Sequence, residues 1–177
     1  MNKPFARFLS QQAREVSQLA ARCPLLDVQP LEPAPVSRYL VRFHCKGLVK
    51  QPDGRIVEAS DFWLKIRFPK NYLRQANTFE VLTWAGPDQI FHPNILVGTQ
   101  NGRLARAICI GDLGPGTSLT RILVQCHNVI RYWNYTTVER DALNSEACAW
   151  VRNNEHRLPI DDRQLVWTPS AEVSEGE

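Results

Sequence analysis

Apolar residues recur at helical spacing near the start of the chain. Phe5, Phe8, Leu9, Val16, Leu19 and Ala20 share one side of a helix over residues 4–22, with Lys3, Arg7, Gln11, Arg14, Gln18 and Arg22 on the other. Pro4 suits a first turn, and Cys23-Pro24 stops the helix. Pro24, Pro30, Pro33 and Pro35 then form a stiff connector, expected to run along the surface. After it the period becomes two. Tyr39, Val41, Phe43 and Cys45 alternate with Leu40, Arg42, His44 and Lys46, so His44 reads as a surface residue. Phe62, Leu64, Ile66 and Phe68 alternate with Trp63, Lys65 and Arg67, and Gln51-Pro52-Asp53-Gly54 between the two runs signals a turn. Thr78 to Trp84 predicts a third strand with Phe79, Val81 and Thr83 on one face. Short connections between these strands predict an antiparallel meander.

From Phe91 to Asp112 the pattern is irregular. His92-Pro93-Asn94 opens the stretch, a turn is expected at Asn101-Gly102, and the apolar pair Ala107-Ile108 leads into Cys109. Beyond the breaker Gly114-Pro115-Gly116 the helical period returns with Leu119, Ile122, Leu123, Cys126, Ile130 and Trp133, capped by Thr117 or Ser118. Cys126 lies on that stripe as a core filler; His127 lies off it and is expected to be exposed. A polar link, Asn134 to Arg140, leads to a last helix with Leu143, Ala147, Trp150 and Val151 on one side. Asp141 or Asn144 could cap it, and Glu146 favours its first turn. Val166-Trp167 is expected to pack back on the domain. The order of elements predicts an α+β fold: an N-terminal helix, an antiparallel sheet, an irregular cysteine-bearing segment, then helices over one face or end of the sheet. Residues 1–167 are assigned to one domain and 168–177 to a flexible acidic tail.

Composition narrows the function classes. A net charge of +3 is too small to argue for nucleic acid or a membrane surface. It is unevenly spread, because residues 154–177 carry six acids against Arg157 and Arg163. No apolar run approaches a membrane span, and the first residues lack the apolar core of a secretory signal. The five cysteines (23, 45, 109, 126 and 148) are odd in number and form no Cys-x-x-Cys pair. That pattern fits free thiols in a reducing cytoplasm, with neither a metal nor a cofactor expected. Cys23, Cys45, Cys126 and Cys148 sit in helix or strand patterns that suggest packing. Cys109 alone falls where an extended segment gives way to a loop, which suits a nucleophile and a structural thiol equally on position alone.

The motifs in this order resemble the ubiquitin-conjugating enzyme family, carriers that hold a ubiquitin-like protein as a cysteine thioester. PDGRIVEASDFWLKIRFP resembles the family's second strand with its lead-in, and FHPNI matches its His-Pro-Asn signature. AICIGD resembles the segment containing the active cysteine, the helix from Ser118 resembles the one after it, and DALNSEACAW resembles a Leu-Asn helix start. The likeness covers about residues 36–153, and the basic first helix also fits. The chain departs from the family in a longer stretch between Asn94 and Cys109, in NYLRQAN before the third strand, and in GPGTSL where a tryptophan usually follows the cysteine. These departures resemble the divergent prokaryotic branch associated with bacterial antiviral defence operons.

The resemblance implies a ubiquitin-conjugating-like fold and a set of roles. Cys109 would carry the C-terminus of a ubiquitin-like protein, or of a protein tail treated like one, and pass it to an acceptor amine. At neutral pH a small thiolate fraction suffices for exchange between activated partners, so no adjacent base is required. Asn94 would either donate to the oxyanion formed as the amine attacks or brace the loop by bonding to backbone. His92 would hold the loop, and Asp141 would orient the incoming lysine unless it is simply a helix cap. Lys3, Arg7 and Arg14 would meet an acidic surface of a ubiquitin-activating-type enzyme. A non-catalytic binding module of the same fold is the alternative; a cysteine hydrolase pairing Cys109 with His92 or His127 is a third reading, for which no orienting acid is evident.

Overall fold

The computed structural model describes residues 3–100 and 103–166. The first helix, α1 (Lys3–Arg22), buries Phe5, Leu9, Val16 and Leu19 and leaves Lys3, Arg7 and Arg14 exposed, as its apolar stripe demands. Gln12 joins the buried side, and its Oε1 accepts the Leu119 amide at 2.6 Å, tying α1 to the start of a later helix. The expected surface connector is in part a strand, β1 (Leu26–Pro30), paired antiparallel with β2 (Arg38–Phe43). Pro30 ends that strand at the sheet's outer edge, where a missing N–H costs no ladder bond.

β2 pairs with β5 (Phe62–Arg67), and β5 pairs with β6 (Leu82–Gly86), giving an antiparallel four-stranded sheet in the order β1-β2-β5-β6. Tyr39, Val41, Phe43, Phe62, Leu64 and Ile66 face inward, following the alternation in the sequence. Between β2 and β5 lies a separate hairpin, β3 (Gly47–Lys50) with β4 (Ile56–Ala59), which closes over the turn signal at residues 51–54. Gly47 is required there: a Cβ would meet the Ile130 carbonyl and the Phe62 ring, each at 2.8 Å. His44 is partly exposed, with its ring nitrogens on Asp61 at 3.1 Å and Asp27 at 2.7 Å.

The strand expected from Thr78 to Trp84 begins later. Asn77 Oδ1 accepts the Phe79 amide at 2.9 Å and nucleates a helical turn, α2 (Thr78–Val81), before β6 starts at Leu82. The inward face is therefore Leu82 and Trp84; Phe79 and Thr83 point outward, and only Val81 of the expected trio is buried.

Helix α3 (Leu119–Ile130) lies against α1 and the sheet, capped by Ser118, whose Oγ accepts the Arg121 amide at 3.3 Å. Packing on several sides buries His127, expected outside, along with Thr120 and Cys126. Tyr132 stands at φ 62°, a left-handed conformation that stops the helix and swings Trp133 off its stripe into solvent. The last helix, α4 (Ser145–Asn154), is capped by Asn144, whose Oδ1 accepts the Ala147 amide at 3.0 Å; Asp141 sits earlier, in a 3₁₀ turn over Glu139–Asp141. Ala147 and Val151 of α4 join Leu48, Phe91 and Tyr132 in a small second core. Asp161 then pins the chain after α4, accepting the Lys46 amide at 2.7 Å and the Arg163 amide at 3.0 Å. Leu165 packs back where Val166 had been expected to; Val166 is exposed, and Trp167, the tail 168–177 and the Asn101-Gly102 turn lie outside the described residues. The described fold is α+β, and none of its helices is long and apolar enough to cross a membrane.

Candidate functional site

The segment after β6 is held by hydrogen bonds at every step. The Phe91 amide donates to the Leu48 carbonyl at 2.9 Å, and the Tyr132 hydroxyl donates to the Phe91 carbonyl. The His92 ring stacks at a tilt on the Tyr132 ring, with centroids 4.2 Å apart. His92 is fully buried, and its Nδ1 accepts the Asn94 amide at 3.0 Å, closing a tight loop around Pro93. That bond fixes the tautomer with the proton on Nε2, since Nδ1 is the acceptor. Burial pushes the imidazole down to about 3, opposed by the nearby Val129 carbonyl, which is not aligned for a full hydrogen bond with Nε2. His92 is thus a neutral brace at physiological pH.

Pro93 and Asn94 tie in the segment before α4. The Pro93 carbonyl accepts the Leu143 amide at 2.8 Å and the Asn144 amide at 3.2 Å. Asn94 Oδ1 accepts the Thr136 amide at 3.0 Å. Residues 136–144 are therefore clamped at both ends to the His-Pro-Asn loop, and Asp141 rides on the clamped turn with its side chain 60% exposed. A carboxylate so exposed, with no capping bond, contributes little to folding.

Asn94 also begins a β-hairpin. Strand β7 (Ile95–Gln100) pairs antiparallel with β8 (Arg103–Ile108), with Ile95 opposite Ile108. The ladder extends one step, because the Cys109 amide donates to the Asn94 carbonyl at 2.8 Å. From the other side, Asn94 Nδ2 donates to the Cys109 carbonyl at 3.2 Å. The stretch that looked like a long loop thus brings Asn94 and Cys109 together as the two feet of one hairpin. Cys109 is partly exposed, and two residues on, Gly111 turns the chain at φ 90°.

Cys45, Cys126 and Cys148 are buried, while Cys23 is partly exposed against the main core. Burial pushes the Cys45 thiol up to about 12 and Cys126 higher still, so neither supplies thiolate at neutral pH. His127 is fully buried beside Phe43, its centroid 6.4 Å from that ring, and burial, with Arg131 adding repulsion, holds it down to about 4. With His92 engaged and His127 enclosed, neither is presented as a base for a hydrolytic cysteine. The sequence reading missed Tyr132 and the Thr136 amide as supports of the site. Tyr132 was hidden as one aromatic at the end of a helix, and a backbone donor leaves no mark in the residue type. No family model matches this chain, and no curated protein matches it.

Proposed function

We propose that this protein is a ubiquitin-conjugating-like transferase with a fold of that type. It takes the C-terminus of a ubiquitin-like protein, or of a protein tail treated like one, onto Cys109 as a thioester and passes it to an acceptor amine. The observation that carries this reading is the pairing of a partly exposed Cys109 with Asn94 across the foot of the β7–β8 hairpin. A thioester needs a reachable thiol, and transfer to an amine benefits from an amide donor near the developing oxyanion. Asn94 Nδ2 carries a second hydrogen beyond the one given to Cys109, so a brace and an oxyanion donor are compatible in one side chain. Asp141, exposed on the clamped turn, is the residue assigned to orient the incoming lysine. The exposed cations Lys3, Arg7 and Arg14 of α1 are assigned to an acidic face of an activating enzyme. A defence role in bacteria follows from the family resemblance alone.

The test combines the protein with ATP, an activating enzyme and a candidate modifier encoded beside it, read on a gel with and without reductant. A reductant-labile adduct that becomes stable as an ester in Cys109→Ser supports the carrier reading. Modifier that binds without any covalent adduct, in the presence of an activating enzyme proven active on it, overturns the carrier in favour of a binding module.

A further inference from the structure

We infer that the free edge of β7 holds the tail of the carried protein as an added antiparallel strand. This rests on the carrier reading above and goes beyond it by naming how the tail is held. The phase of the hairpin decides which backbone groups are free. Asn94 and Cys109 form a hydrogen-bonded pair, so Leu96 with Ala107 and Gly98 with Ala105 are the next such pairs. The residues between them, Val97 and Thr99, aim their N–H and C=O groups away from β8. The Ile95 amide, in the same phase, turns back to the His92 carbonyl at 3.1 Å, which confirms the direction. Among the described residues no strand pairs with that side of β7. β8 is the strand nearer β6 and α2, and Arg106 forks onto Asp88 at 2.7 and 3.0 Å, anchoring the hairpin from the far side.

Edge strands are ordinarily guarded by proline, a charge or a bulge. Ile95-Leu96-Val97-Gly98-Thr99 has none of these, and the space where a Cβ of Gly98 would stand is empty. Polarity selects the occupant. β7 runs outward from Asn94, so a strand added antiparallel to it runs inward and ends beside Asn94, from where its last residues cross the foot of the hairpin to reach Cys109. A chain carried by its C-terminal carboxyl needs that direction. Backbone pairing of this kind tolerates varied side chains.

The test uses two synthetic thioesters of mercaptoethanesulfonate, one of Gly-Gly and one of an eight-residue extended peptide ending in Gly-Gly. In the exchange Cys109 Sγ attacks the thioester carbonyl, the new C–S bond forms, the old one breaks, and the departing thiolate takes up the Cys109 proton. Loading of wild type, followed by intact mass at limiting thioester, is expected to be about tenfold faster for the long peptide, the effect of one or two net backbone hydrogen bonds. Thr99→Pro removes an outward N–H on an exposed residue and leaves the β7–β8 ladder intact, so it should erase much of that advantage while Gly-Gly loading stays unchanged. N-methylation of the peptide at alternate residues provides a second readout on unaltered protein: one alternate set should abolish the advantage and the intervening set should not. Equal loading of both thioesters by wild type overturns strand addition and leaves the carrier reading standing. Failure of Cys109 to accept either overturns both. A dimer of the free protein dissolved by Thr99→Pro, with loading unaffected, would assign the edge to a second copy of this chain and overturn the inference.

Discussion

Replacing Asn94 with alanine removes two hydrogen bonds at once. Its Oδ1 accepts the Thr136 amide at 3.0 Å and its Nδ2 donates to the Cys109 carbonyl at 3.2 Å, from a residue only 9% exposed. Alanine leaves both backbone groups without their partner, at about 1–3 kcal/mol each when water cannot replace it. The site is at the surface, so partial rescue by solvent places the total at roughly 2–4 kcal/mol. For a domain of this size that is a fall in melting temperature of roughly 5–15 °C. Asn94→Asp separates the two bonds: a carboxylate still accepts from Thr136 but sets an oxygen against the Cys109 carbonyl. Thermal unfolding followed by circular dichroism should rank wild type above Asn94→Asp and Asn94→Ala, with both variants folded at room temperature. Loading and discharge of Cys109 measured separately then divide the roles. A brace alone slows both steps together, whereas an oxyanion donor slows discharge by roughly 100–1,000-fold and spares loading. An Asn94→Ala protein melting within about 1 °C of wild type would refute the bracing role.

Three further outcomes follow from the same geometry. Asn144 rather than Asp141 caps α4, so Asn144→Ala should cost about 1 kcal/mol in urea unfolding and Asp141→Ala less than about 0.5 kcal/mol, with lysine discharge slowed only by the latter. Tyr132→Phe leaves the buried Phe91 carbonyl unpaired and should cost about 1–3 kcal/mol; an unchanged denaturation midpoint would count against Tyr132 as the support of the His92 loop. His92 and His127 are held neutral in the fold, at about 3 and about 4 against an ordinary 6.5, so the unfolded chain binds more protons below that value. Their contribution to stability is complete above pH 6.5 and is lost as pH falls toward 4 and then 3, and His127→Gln should flatten the upper part of that decline. A midpoint unchanged from pH 7 to 4 would contradict it.

Long, strictly periodic segments were legible from residue types. The stripe of α1 and the alternation of β2 and β5 each follow from one face being buried and the other solvated. Shorter pieces were not. β1 is framed by Pro24 and Pro30, which read as connector, yet pairing on one side only tolerates them. In Thr78–Trp84 the alternation fitted a strand, and a single side-chain bond from Asn77 shifted its phase by one residue. His127 was misread because helical periodicity assumes one buried face, whereas α3 is covered on several. At the site, His92, Asn94 and Cys109 were picked out by resemblance to a known motif. Asn94 and Cys109 meet through the register of β7 with β8; a turn signal at Asn101-Gly102 is present in the sequence, but the irregular pattern on either side of it does not mark the two strands.

The most direct measurement locates the acyl group. After incubation with an activated modifier under non-reducing conditions, peptide mapping by mass spectrometry compares Cys109 with Cys23, the other partly exposed thiol. A modifier remnant on the Cys109 peptide, with Cys23 free, is the result expected of a carrier. A remnant on Cys23, or no acylated cysteine beside an activating enzyme shown to be charged, would contradict it.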